Sequence, residues 1–225
     1  MHPFTKGIIQ VYSHHSNSQR AVPMKSYMRD QFAFAGIDAT ARRALGAAYM
    51  KESGLPEARH YRAIVKELWA LPEREYQYFA IEYAMKYKKH WDEEDITFFE
   101  WMATHKSWWD TVDYIAGKLI GPWLLKHPRH IKPITTRWNR SDDIWLQRLS
   151  LIFQLTYKDA TDTGLMAAHI KHLADSDEFF VRKAIGWALR QYSKHDPEWV
   201  QRFVKSTPLK PLSRKEALKI ILKKG

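Results

Sequence analysis

The feature that most constrains this chain is its spacing. Glycine and proline interrupt it at Pro23, Gly36, Gly54/Pro56, Pro72, Gly121/Pro122, Pro128, Pro133, Gly164, Pro197 and Pro208/Pro211. The stretches between them carry helical period. In residues 142–158, Trp145, Leu149, Ile152 and Phe153 recur at i, i+4, i+7 and i+8, and no segment alternates cleanly for more than a few residues. The pattern predicts about a dozen helices and no sheet. Start signals are expected at Asp92-Glu93-Glu94, Ser141-Asp142-Asp143, Asp175-Ser176-Asp177-Glu178 and Ser213-Arg214-Lys215-Glu216, where side-chain oxygens face the unsatisfied N–H groups of a first turn.

The helices repeat. An offset of 70 places Tyr87 over Tyr157, Gln77 over Gln147 and Ile81 over Leu151; an offset of 35 places Ile144-Trp145-Leu146-Gln147-Arg148 over Phe179-Phe180-Val181-Arg182-Lys183. The last helix, around Lys215–Lys219, fits better with a shift of 33. Units of about 35 residues, each a helix pair that buries its apolar face on the next, predict an all-α chain: an α-solenoid of HEAT-like repeats, read as a single domain over residues 1–225 with inner helices lining a concave surface. In this register Tyr78, Asp113, Arg148 and Lys183 are equivalent, so Asp113 and Arg148 are expected side by side, with the guanidinium orienting the carboxylate.

Charge points to a partner. The net charge is +11, split as +1 over residues 1–110 and +10 over residues 111–225. An excess confined to one half suits a polyanion better than general solubility does. The absence of cysteine excludes disulfide scaffolds, thiolate metal sites and a cysteine nucleophile, and there is no Gly-rich phosphate loop. His14-His15, His127/His130 and His169/His172 show no metal-site pattern and read as surface or loop residues. With no apolar run near 20 residues and no signal-peptide pattern at Met1–Lys6, a soluble, intracellular protein without membrane contact is expected.

Residues 106–120 hold the most informative side chains. Trp108, Val112, Ile115 and Leu119 form a core stripe, whereas Trp109 shares a face with Asp113, Ala116 and Gly117. Packing on a neighbouring helix and lining an indented site both remain open for Trp109. Arg148 lies among Ile144, Leu151 and Ile152, company in which a guanidinium needs a partner or an anionic ligand. In residues 177–194 the stripe Val181, Ile185, Leu189, Tyr192 leaves Lys183, Trp187, Arg190 and Lys194 on another face, either as an exposed cationic helix or as a nucleic-acid contact.

The motifs Glu67–Glu75, Lys106–Asp113, Ile144–Arg148 and Lys183–Arg190 resemble the AlkD family of bacterial DNA alkylation-repair glycosylases, in order and over essentially the whole chain. That resemblance implies an enzyme of base-excision repair that cradles duplex DNA and hydrolyses the N-glycosidic bond of 3-methyladenine or 7-methylguanine, without metal, cofactor or a base-flipping pocket. It places the catalytic carboxylate on Asp113, the sugar-packing indoles on Trp109 and Trp187 and the supporting guanidinium on Arg148. Candidate DNA-binding residues are Lys183, Arg190, Lys194, Tyr27 and Lys106. A monomer acting on the nucleoid in the bacterial cytoplasm is implied. Asp38 stands where the family carries a neutral polar residue. Two rivals to a glycosylase are a catalytically silent DNA-binding relative and a protein-binding α-solenoid scaffold.

Overall fold

Five helices begin at Ala39, Arg74, Trp109, Ile144 and Phe179, each 35 residues after the one before. They belong to a computed structural model that describes residues 1–223 and divides into two compact units, Met1–Asp95 and Ile96 onward. Fourteen α-helices and several short 3-10 turns make up the described residues. They form no strand, only a lone bridge between Ala33 and Glu73. The fold is all-α, as the periodicity predicts. No helix among the described residues is long and apolar enough to cross a membrane.

The first unit contains α1 (Pro3–His14), α2 (Ser18–Tyr27), α3 (Ala39–Ser53), α4 (Tyr61–Ala70) and α5 (Arg74–Lys86). Its core is aromatic: Phe4, Tyr12, Phe79 and Tyr83 are buried and their rings meet within 6.3 Å. Beside them the buried Glu75 carboxylate accepts the backbone N–H groups of Ala35, Gly36 and Ile37, at 3.0, 2.9 and 3.2 Å. Gly36 has φ +82°, and a Cβ there would strike the Asn17 carbonyl, so only glycine fits this turn. Asp38 caps α3, accepting from Thr40 and Ala41 N–H at 3.0 Å each. Those bonds, led by the one from Ala41, hold its carboxyl below the usual 3.8.

The second unit holds all but the first residue of α6 (Asp95–Thr104), then α7 (Trp109–Ile115), a π-helical turn at Ala116–Ile120, α8 (Gly121–Lys126), α9 (Ile131–Asn139), α10 (Ile144–Ile152), α11 (Thr163–His172), α12 (Phe179–Tyr192), α13 (Pro197–Ser206) and α14 (Pro211–Leu218). Helix α10 packs on α7 and on α12, and α12 packs on α14, so helices one repeat apart are neighbours. Val112, Ile115, Leu119, Leu149, Ile152, Val181, Ile185 and Leu189 are fully buried between them. At about 25 cal/mol per Å² of apolar surface removed from water, this stripe is the dominant favourable contribution to the stack.

Side chains repeat along with the backbone. Gln77 donates to the Leu71 carbonyl at 2.9 Å and Gln147 to the Ser141 carbonyl at 2.7 Å, both six residues upstream. The hydroxyls of Tyr87 and Tyr157 donate to the carbonyls of Pro56 and Gly121 at 2.8 Å. The glutamine bonds keep the offset of 70 at donor and acceptor alike, whereas the tyrosines keep it only at the donors.

Some local expectations fail. Asp143 caps α10, accepting from Trp145 N–H at 2.7 Å, but Ser213 caps nothing. Pro211, with its preset φ and no N–H to leave unsatisfied, starts α14 earlier. Ser213 is therefore interior, donating to the Arg182 carbonyl at 3.1 Å. Trp108 is not part of a helical stripe: it precedes α7 in extended conformation, with its indole in a cluster with Trp145 and Phe180 at 5.8 and 5.1 Å. His169 is buried rather than on the surface, its Nδ1 3.1 Å from the Ser150 carbonyl, and burial lowers its pKa below 6.5.

Candidate functional site

The offset of 35 brings two charges together inside the second unit. Arg148 Nε donates to Asp113 Oδ1 at 2.7 Å and Nη2 to Oδ2 at 2.8 Å, the parallel fork a guanidinium makes with a carboxylate. Nη1 donates to the Phe180 carbonyl at 2.6 Å. One side chain on α10 thus ties α7 to α12 while fixing the carboxylate plane. The Arg148 side chain is 5% exposed and that of Asp113 is 16%, so the ion pair is buried from the guanidinium side and open on the carboxylate side.

Burial raises the Asp113 pKa from its ordinary 3.8, while the Arg148 bonds and charge pull it down and the nearby Asp110 adds a smaller push upward. Each carboxylate oxygen spends one lone pair on Arg148, leaving the other for a further donor or a developing cation. Such a group, oriented and partly desolvated, is suited to stabilising positive charge nearby.

Indoles flank it. Trp109 is the first residue of α7 and half-buried, one turn before Asp113 on the same face. Trp187, on α12 and also half-buried, has its ring centroid 6.0 Å from the Arg148 guanidinium carbon. After Asp113 the backbone widens into the π turn, a device common at functional sites. Ala116 is buried, whereas a Cβ at Gly117 would meet nothing within 4 Å, so of the two small residues only Gly117 borders open space.

The candidate cations are less uniform than their spacing suggests. Lys183 Nζ donates to Glu216 Oε1 at 2.8 Å, and Arg190 pairs with the other oxygen of Glu216. Lys194 is exposed and donates to Gln191 Oε1 at 2.7 Å. Lys106 is exposed in the turn before α7, in left-handed backbone with φ 51°. Tyr27 lies in the first unit, at the end of α2, and is 70% exposed. Asp113, Arg148 and Trp187 are brought together by contact, and Lys183, Trp187 and Arg190 share one face of α12 at i, i+4 and i+7.

Sequence reasoning missed two parts. The Phe180 carbonyl carries no side-chain signal. Glu216 does: the shift of 33 that fits the last helix places it opposite Lys183, although by residue type it reads as a first-turn carboxylate.

Comparison with known proteins assigns the chain to a family. The family model described as DNA alkylation repair enzyme matches residues 8–221. A solved structure described as a predicted DNA alkylation repair enzyme from Enterococcus faecalis is similar, with 35% identity and a TM-score of 0.86 over 92% of this chain and 97% of that one. The structure of smu.31 from Streptococcus mutans UA159, 17% identical with a TM-score of 0.61 over 77% of this chain and 90% of that one, shares the fold. No curated protein matches the chain.

Proposed function

The chain belongs to the DNA alkylation repair enzyme family, and from that premise we propose that it is a monofunctional DNA glycosylase of base-excision repair that hydrolyses the N-glycosidic bond of cationic alkylated purines in duplex DNA. The observation that supports this most is the Asp113 carboxylate, locked by two bonds from Arg148, open on its outer side and with Trp187 beside the pair.

Alkylation of a ring nitrogen, as in 3-methyladenine or 7-methylguanine, makes the base a cationic leaving group that needs no protonation. What the enzyme supplies is stabilisation of the oxocarbenium-like sugar left behind. Asp113 does this by charge and positions the attacking water; Trp109 and Trp187 present electron-rich faces to the sugar. Arg148 orients Asp113 and offsets its burial. No step requires a metal or cofactor, and the lesion reacts without rotation into a deep pocket. A monomer bound to duplex DNA in the bacterial cytoplasm is the corresponding physiological form, with Lys183, Arg190, Lys194, Lys106 and Tyr27 toward the backbone.

Release of 7-methylguanine and 3-methyladenine from methylated duplex DNA tests the proposal. Asp113→Asn keeps the shape and is expected to lower the single-turnover rate by at least 100-fold, as loss of one transition-state charge group does. No release by wild type, or equal release by Asp113→Asn, overturns it. Salt-sensitive duplex binding without release would point instead to a silent DNA-binding relative.

A further inference from the structure

Lys183–Glu216–Arg190 is an unusual arrangement for a surface meant to attract phosphates, because a carboxylate already occupies both cations. It is built with care. Lys183, Trp187 and Arg190 form one stripe on α12, and Glu216 of α14 bridges the two ends of that stripe. The bridge depends on Gly186: a Cβ at that position would collide with Glu216 Cβ and come within 2.9 Å of the Ser213 carbonyl. Lys219 adds a third positive charge near the same carboxylate, and the Glu216 pKa is held below 4.5, chiefly by the Lys183 hydrogen bond.

Exposure separates the partners. The side chains of Lys183 and Arg190 are 37% and 24% exposed, against 13% for Glu216. An incoming anion therefore reaches the cations more easily than the carboxylate they hold. Glu216 pairs with Lys183 across one repeat as Arg148 does with Asp113, the acid now following the base, and Trp187, whose ring lies 6.0 Å from the Arg148 guanidinium carbon, sits between Lys183 and Arg190 on α12. The pairs differ in accessibility: the cation Arg148 is buried, and the cation Lys183 is not.

We propose that Lys183 and Arg190 form a binding site for a backbone phosphodiester and that Glu216 acts as its internal stand-in, pre-ordering both cations and restraining their affinity for DNA until a phosphate competes for them. The proposal rests on the reading of the chain as a duplex-binding enzyme. Its function is to position: with the two cations held at fixed places on either side of Trp187, a phosphate that enters registers the neighbouring sugar against that indole. Restrained affinity also lets the protein leave undamaged DNA.

The test is binding of an unmodified duplex oligonucleotide, followed by fluorescence anisotropy across a series of NaCl concentrations. Glu216→Gln is expected to bind about fivefold more tightly at low salt, the effect of removing one unit charge about 4 Å from another in water. Its plot of log affinity against log salt is expected to steepen by about one, as one further phosphate is neutralised. Glu216→Asp, which keeps the charge, returns both quantities toward wild type. Lys183→Ala removes one of the exposed cations and is expected to make the slope shallower by about one. Wild-type binding with an unchanged slope in Glu216→Gln, or in Lys183→Ala, overturns the proposal and leaves Glu216 as a cross-link between α12 and α14. Absence of duplex binding by the wild type would instead defeat the reading on which the proposal rests.

Discussion

Replacing Arg148 by Met tests whether the Asp113 pair is a buried charge arrangement or a dispensable contact. Methionine nearly fills the volume of the guanidinium stem, so the cavity contribution is small. What disappears is the two-bond fork to Asp113 and the donor to the Phe180 carbonyl. Removing one partner of a buried pair costs about 3–5 kcal/mol, and the partial exposure of Asp113 places this case at the lower end, about 3 kcal/mol at neutral pH. For a chain of this length that lowers the melting temperature by roughly 6–12 °C. The deficit depends on pH in a definite direction. Burial already raises the native Asp113 pKa above 3.8, and without Arg148 it rises further. A carboxyl with a raised native pKa binds its proton more tightly when folded, so the stability it contributes is present below the unfolded value and is lost as pH rises through the native value. At pH 4.5 the Arg148→Met deficit is therefore smaller than at pH 8, because a neutral Asp113 needs no partner. Urea unfolding at pH 4.5 and 8, followed by far-UV circular dichroism, measures both. An equal deficit at the two pH values, or none at pH 8, would refute the reasoning.

Other expectations follow from the same geometry. Single-turnover base release falls on the acid side as Asp113 is protonated, with a midpoint above 3.8; Arg148→Lys, which loses the fork, moves that midpoint upward, and an unmoved acid limb would show that another group titrates. Glu75→Ala leaves the N–H groups of Ala35, Gly36 and Ile37 without their buried acceptor and is expected to cost about 3 kcal/mol or more, seen as lost hydrogen-exchange protection at residues 35–37 together with a lower urea midpoint. Asp38→Ala, which deletes the oxygen that caps α3, is expected to lower the melting temperature more than Asp38→Asn, which keeps it; equal melting of the two variants would mean the cap contributes nothing.

How much of this the sequence reveals depends on whether a feature is periodic. The spacing of 35 is carried by many residues, so the helices that start at Ile144 and Phe179, the paired glutamines and the Asp113–Arg148 contact are all legible from the sequence. Trp108 is misread because the helical period of its neighbours extends backward past the true start: the chain enters α7 in extended conformation, and an indole on the wrong side of a cap loses its place in the stripe. Ser213 fails for the converse reason, a proline two residues earlier being the stronger start signal. The π turn after Ile115 leaves no mark on composition, since Ala116–Ile120 suits an α-helix equally well.

The charges teach a further distinction. Counting lysine and arginine locates the +10 excess in residues 111–225, but a count treats every cation alike. The structure divides them by what they already hold. Arg148 is buried and committed to Asp113, which leaves it little surface to offer a phosphate. Lys183 and Arg190 hold the less exposed Glu216 while remaining partly exposed themselves, so an external anion can approach them. Equivalent repeat positions thus hold one motif twice, an acid–base pair between helices one repeat apart. The deciding variable is which member faces outward: with the carboxylate outward the pair offers a negative charge to a developing cation, and with the cations outward it offers positive charge to a phosphate. Trp187 shares the stripe of Lys183 and Arg190 on α12 while its ring lies 6.0 Å from the Arg148 guanidinium carbon, so both pairs adjoin one indole.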